Sequence, residues 1–97
     1  MNPCIAQDTG ALLLSGSLEI YEVEGLRQVV SDYLAGSSTG VLDLAAVEAC
    51  DTAGAQLLCA ARQGSVRAGK SISFARVSPA VAECWERLGL PKEYLNL

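Results

Sequence analysis

The sequence predicts a small α/β domain with a mixed β-sheet of about four to five strands and helices packed mainly on one face. The chain has 97 residues, which is enough for one hydrophobic core and too few for two. Hydrophobic residues make up 51% of it and charged residues 19%, a balance typical of a folded domain. Segments with strand periodicity alternate with segments of helical periodicity, as in α/β proteins. We therefore expect a single domain spanning residues 1–97.

The first two elements are predicted to form a β-hairpin. Residues 4–6 and 11–18 are mostly apolar, and Asp8, Thr9 and Gly10 between them have a turn composition. Leu12, Leu13 and Leu14 are consecutive, which predicts a strand covered on both faces.

The first helix is predicted over residues 22–34, because its apolar residues recur at helical spacing. These residues are Val23, Leu26, Val30, Tyr33 and Leu34. Residues 35–40 are rich in glycine and serine and predict a loop. A central strand follows over residues 40–44.

A second helix is predicted to begin at Thr52 and to end before Gly69. We expect it to bury Leu57, Leu58 and Ala61, with Val66 near its end. Residues 71–77 alternate polar and apolar side chains, which predicts a strand with one face fully covered.

A third helix is predicted to begin at Ser78 and Pro79, since serine accepts from free helix amides and proline is favourable at the first helical position. Gly89 ends this helix, and Pro91 opens a further turn. Its expected inner residues are Val81, Cys84, Trp85 and Leu88. We expect Trp85 to be a core residue whose indole N–H finds one acceptor.

The charge distribution argues against nucleic acid as a partner. The net charge is −4, whereas phosphate backbones require clustered lysine and arginine. Residues 1–60 hold one basic and eight acidic residues, and residues 61–97 hold six basic and three acidic ones. An acidic face would steer a basic protein partner toward it, although a simply solvated surface explains the pattern equally well.

The chain shows no targeting or membrane-spanning segment, since its longest strongly apolar run, residues 11–14, is far too short to cross a bilayer. We therefore expect a cytoplasmic protein without direct membrane insertion. The chain has no histidine, and its four cysteines lack the spacing of a zinc site or a redox motif. We interpret them as small buried hydrophobic residues, with Cys50 as the one to test for reactivity.

The most informative segment joins the central strand to the second helix. Asp51, Thr52 and Gly54 lie at the predicted helix start, where backbone amides and the helix dipole favour an anion. Asp43 within the apolar strand is unusual, and we expect it at a strand end or hydrogen-bonded, because an unpaired buried carboxylate is costly.

The order of these elements and motifs resembles the STAS domain, the family of the anti-sigma-factor antagonists, over nearly the whole chain. The matching segments are Ser15-Gly16-Ser17-Leu18-Glu19, Leu42-Asp43-Leu44, Asp51-Thr52-Ala53-Gly54, Gly69-Lys70, Val77-Ser78-Pro79-Ala80-Val81 and Leu88-Gly89-Leu90. The short chain, the Asp-Thr-x-Gly form and the Leu-Pro near the C-terminus also resemble the small STAS subunit of bacterial phospholipid-transporting ABC systems.

The resemblance implies specific roles around Thr52. Thr52 stands at the position that a partner kinase phosphorylates in the sigma-factor regulators, Asp51 precedes it as in the family, and Glu19 matches an acidic residue near that site. Two departures are Ala53, which removes a second hydroxyl, and Ala55, which replaces a large aliphatic residue. Repulsion by a phosphoryl group on Thr52 would disrupt a partner that approaches there.

The partner surface implied by the resemblance continues along the outer face of the second helix. Its candidate residues are Glu19, Asp51, Thr52, Ala53, Gly54, Gln56, Ala60 and Gln63, and Arg67 continues the helical spacing. The alternatives are structural: Asp51 or Thr52 as a helix cap, Gly54 as a close contact with the sheet, and the small residues as helix formers.

Three functions follow from these residues. The first is a phosphorylation-switched binding module for an anti-sigma factor, a serine kinase or a similar protein, present as a monomer or weak dimer. The second is a STAS subunit that regulates the ATPase of a phospholipid-transporting ABC system. The third, an enzyme, is disfavoured because no set of acid, base and nucleophile is visible. We expect no cofactor and no metal.

Overall fold

The computed structural model describes residues 4–5, 10–36 and 39–95, with side chains described for 10–36 and 39–95. Its elements are β1 (Cys4–Ile5), β2 (Leu12–Leu18), α1 (Ile20–Ala35), β3 (Thr39–Cys50), α2 (Thr52–Arg67), β4 (Ser71–Ala75), α3 (Pro79–Arg87) and a 3₁₀ helix (Lys92–Leu95). Within these residues, no helix is both long and apolar enough to span a membrane. The predicted alternation of strands and helices is confirmed.

The sheet has the order β1-β2-β3-β4. β2, β3 and β4 are parallel, and the two-residue β1 pairs antiparallel with β2. The parallel core therefore has three strands rather than four to five, and the count reaches four only when β1 is included. Residues 8 and 9 of the predicted hairpin turn lie outside the described residues.

One face of the sheet carries the hydrophobic core. Leu12 is in register with Leu42 and Leu42 with Phe74, so these side chains share a face, and all three are buried in one cluster with α1, α2 and α3. On the opposite face Leu13 is only partly buried. The prediction that β2 is covered on both faces was therefore wrong, because the helices pack on the other side.

β3 is much longer than the five-residue strand predicted over 40–44. β3 keeps pairing with β2 through Cys50: Gly16 is in register with Val47 and Leu18 with Cys50, and two register shifts interrupt the ladder. Alanine and glutamate are weak strand formers, so the second half of β3 is a strand because pairing with β2 overrides the local propensity.

The ends of α2 and α3 differ from the predicted burial. Val66 is 62% exposed and Leu88 is 40% exposed, although both were expected on inner faces. α2 buries Ser65 instead, and α3 ends at Arg87, so that Leu88 lies beyond its last turn.

Other features of the C-terminal half are as predicted. The Ser78 hydroxyl accepts from the Val81 amide at 3.4 Å. Trp85 is buried, and its indole N–H donates to the Pro91 carbonyl at 2.7 Å. β4 ends at Ala75, two residues earlier than predicted, because Arg76 has a φ of 50° in the left-handed region.

The α2 corner as a candidate partner-binding site

Asp51 holds together the starts of two helices. One carboxylate oxygen accepts from the Gly54 amide at 3.0 Å, which makes Asp51 the N-cap of α2. The other oxygen accepts from the Ile20 amide at 3.0 Å, at the first residue of α1. Parallel strands end at the same edge of a sheet, so both helices begin there. Of the two caps proposed from the sequence, Asp51 or Thr52, the structure has Asp51, which also bonds α1.

Gly54 is buried beneath this corner. A Cβ on Gly54 would overlap the carbonyl oxygen of Leu18 and lie 2.8 Å from Leu18 Cγ. The same carbonyl accepts from the Asp51 amide at 3.2 Å. Glycine is therefore needed for α2 to approach the end of β2, which favours the packing alternative for this residue.

Thr52 is the first residue of α2, and it is exposed. Ala53 beside it is partly buried and packs against the core. Thr52 is thus an exposed hydroxyl-bearing residue that directly follows the Asp51 cap. Along the outer face of α2 the other predicted positions are also exposed, namely Gln56, Ala60, Gln63 and Arg67.

Glu19 lies at the same corner, as the resemblance implied. It is the N-cap residue of α1, where its carbonyl oxygen accepts from the amides of Glu22 at 2.8 Å and Val23 at 3.1 Å. Its side chain makes no capping hydrogen bond and is partly exposed. Because Glu19 precedes Ile20, whose amide bonds Asp51, it lies next to the start of α2.

Two exposed apolar residues at this corner were not among the site residues predicted from the sequence. Ile20 is 61% exposed and Tyr21 is 95% exposed. Tyr21 falls outside the helical stripe of Val23, Leu26 and Val30 that enters the core, and this mismatch is the sequence signal by which it could have been recognised as a surface residue. Ile20 precedes Val23 by three residues, so helical spacing gives no such signal for it.

Cys50, just before this corner, does not have the properties of a reactive thiol. Burial is the largest cause and the neighbouring Cys84 and Asp51 add to it, and together they raise the pKa of Cys50 to about 12. Because the thiolate is the reactive form, the protonated Cys50 is unreactive at neutral pH. Cys84 is buried, whereas Cys50 and Cys59 are partly buried.

Asp43 was expected either at a strand end or hydrogen-bonded. It is buried within β3 and is hydrogen-bonded. One of its carboxylate oxygens accepts from the Ala45 amide at 3.0 Å. The other accepts from Arg76 Nε at 2.8 Å and Nη2 at 2.6 Å. This pair stabilises the sheet and is separate from the Asp51 corner. In the described part of the chain, no group of three or more metal-ligating side chains could hold a metal ion.

Comparisons with known proteins identify the family. A solved structure of the anti-sigma factor antagonist SpoIIAA in its unphosphorylated form is similar, with a TM-score of 0.71 and 18% sequence identity, over 92% of this chain and 82% of that chain. At this identity the likeness concerns the fold. The family model described as Mlab, STAS domain matches residues 2–96, and the chain therefore belongs to the STAS domain family. No curated protein sequence matches it.

Proposed function

We propose that this chain is a non-enzymatic regulatory binding module of the anti-sigma-factor antagonist type, which binds an anti-sigma factor, a serine kinase or a similar protein. The observation that carries the proposal is that Thr52 is exposed at the first residue of α2, directly after the Asp51 cap. The partner contacts the segment Asp51-Thr52-Ala53-Gly54 and the exposed residues of α2. Gly54, which is buried, contributes by letting α2 lie close to Leu18.

Thr52 is the candidate switch. A phosphoryl group there adds a charge of about −1.5 to −2 at neutral pH. The added charge lies next to the Asp51 carboxylate, whose two oxygens already bond the Gly54 and Ile20 amides. The starts of α1 and α2 favour an anion electrostatically, so the domain tolerates the group. A partner that covers this corner must instead bury the phosphoryl group or be repelled by it, and in both cases the partner binds less tightly.

The first experiment is phosphosite-resolved mass spectrometry on the protein purified from its native cells, with copurifying proteins identified in the same sample. Phosphate on Thr52 together with a kinase-like partner supports the switch. In a binding assay with that purified partner, Thr52→Glu is expected to abolish binding, and Thr52→Val, which is nearly isosteric, is expected to bind while it cannot be phosphorylated. Binding by the Thr52→Glu variant at wild-type affinity would contradict the proposal.

The second candidate function is a constitutive STAS subunit that regulates the ATPase of a bacterial phospholipid-transporting ABC system. The match to the family described as Mlab, STAS domain supports it as well. In this case Thr52 is an interface residue that is never modified. Copurification of an ATPase with unmodified Thr52 would favour this function over the first.

A further inference from the structure

We propose that Ile20, Tyr21 and Gly25, on the first two turns of α1, form the anchor by which the partner holds this domain. The inference rests on the proposed function and extends it to a surface outside the STAS motifs. The partner is a protein with an apolar pocket for the Tyr21 ring and a net positive charge around that pocket.

The first observation is the exposure of two large apolar side chains at consecutive positions at the start of α1. Tyr21 is 95% exposed and Ile20 is 61% exposed, so neither contributes much to the core. Exposed aromatic side chains are the residues most enriched among those that dominate binding energy in protein interfaces.

The second observation is a glycine that the fold does not require. Gly25 lies inside α1, is exposed, and has no atom within 4 Å of the position that a Cβ would take. Glycine in a helix interior is about 1 kcal/mol less favourable than alanine. Gly25 follows Tyr21 by four residues, so the two lie on the same helix face. A partner backbone that approaches closely beside the tyrosine ring explains why this site lacks a side chain.

The third observation ties this surface to Thr52. The amide of Ile20 donates to the Asp51 carboxylate at 3.0 Å, and Asp51 is bonded covalently to Thr52. A partner that covers the start of α1 at Ile20 is therefore next to the start of α2, where Thr52 is exposed. A phosphoryl group on Thr52 then lies at the edge of that contact, where its desolvation is costly.

Charge defines the class of partner. Around the first two turns of α1, Glu19, Glu22 and Glu24 supply three carboxylates against one guanidinium, Arg27. The Glu24 side chain is 86% exposed, and Arg27 lies 3.9 Å from it. This acidic surface attracts a positively charged protein and repels an anionic membrane surface.

The test uses the partner that copurifies with the wild-type chain, produced in pure form and titrated calorimetrically with intact variants. We expect Tyr21→Ala to weaken binding by about 30-fold or more. We expect Gly25→Ala to weaken it by about 10-fold while raising the urea midpoint, so that lost binding cannot come from unfolding. Leu88→Ala, another exposed apolar side chain at 40% exposure, is the matched control and is expected to bind as the wild type.

Each other outcome overturns the inference in a distinguishable way. If Thr52→Glu loses binding while Tyr21→Ala and Gly25→Ala retain it, the anchor is wrong and the proposed function stands. If the wild-type chain retains no protein partner, both are wrong. If the wild-type chain binds vesicles of anionic phospholipid and Tyr21→Ala does not, the surface serves a membrane instead of a protein.

Discussion

Replacement of Gly54 by alanine tests how closely α2 packs against the end of β2. The new methyl group meets the backbone carbonyl of Leu18 and lies 2.8 Å from Leu18 Cγ. Overpacking of this kind costs typically about 1–3 kcal/mol, and the upper end applies because a backbone atom is the obstacle. Alanine recovers about 1 kcal/mol of helix propensity. The net loss in the free energy of unfolding is therefore about 2 kcal/mol, equivalent to roughly 10 °C in Tm for a domain of this size.

Urea unfolding followed by the fluorescence of Trp85, which is 1% exposed, measures this loss directly. Gly64→Ala is the matched control, since Gly64 is also a glycine of α2 but has open space around its Cβ position. We expect that variant to be about 1 kcal/mol more stable than the wild type. Equal gains in stability for Gly54→Ala and Gly64→Ala would refute the packing argument.

Substitutions at three further residues test other contacts by urea unfolding. Arg76→Ala and Arg76→Gly both remove the ion pair with Asp43, but only glycine relieves the left-handed backbone at φ 50°. We therefore expect the alanine variant to be about 1 kcal/mol less stable than the glycine variant. Equal stabilities of the two variants would contradict this. Asp51→Ala removes hydrogen bonds to two helix starts and is expected to cost about 2 kcal/mol, whereas an unchanged midpoint would show that neither bond matters. Burial, with smaller effects of Cys84 and Asp51, raises the pKa of Cys50 to about 12, so the unfolded chain releases this proton first. The contribution of Cys50 to stability should therefore be constant below about pH 9 and fall above it, and Cys50→Ser should lessen the fall in stability between about pH 9 and about pH 11.

Much of the fold could be predicted from hydrophobic periodicity and from the residues that begin or end helices. Ser78 and Pro79 predicted the start of α3, and the alternation of residues 71–77 predicted β4, because these signals act locally. β3 shows where local reasoning fails. Its second half, with Ala45, Ala46 and Ala49, has no strand propensity and is a strand only because β2 lies beside it. Similarly, Val66 has a suitable residue type for a core, but no other element covers it.

The candidate site divides in the same way. Asp51 and Gly54 could be placed at a helix start from their types and spacing, but the sequence left open whether Gly54 serves the fold or a partner. The structure favours the structural role, because a Cβ on Gly54 would overlap the carbonyl oxygen of Leu18. The hydrogen bond from the Ile20 amide to Asp51 joins residues 31 positions apart, and no spacing rule predicts it. As a result, the exposed start of α1 could not be assigned to the site from sequence.

The double role of Asp51 also determines how a variant of Thr52 should be interpreted. Because α1 and α2 both direct their amino ends at one carboxylate, the positive ends of two helix dipoles lie at this corner, and each favours a nearby anion by about 0.3–1 kcal/mol. This attraction offsets much of the repulsion between Asp51 and a second negative group on Thr52. We therefore expect Thr52→Glu to unfold at nearly the wild-type urea concentration, unlike Asp51→Ala. If it does, any loss of partner binding by Thr52→Glu arises at the interface; a large loss of stability would instead mean that the negative charge acts by opening the corner itself.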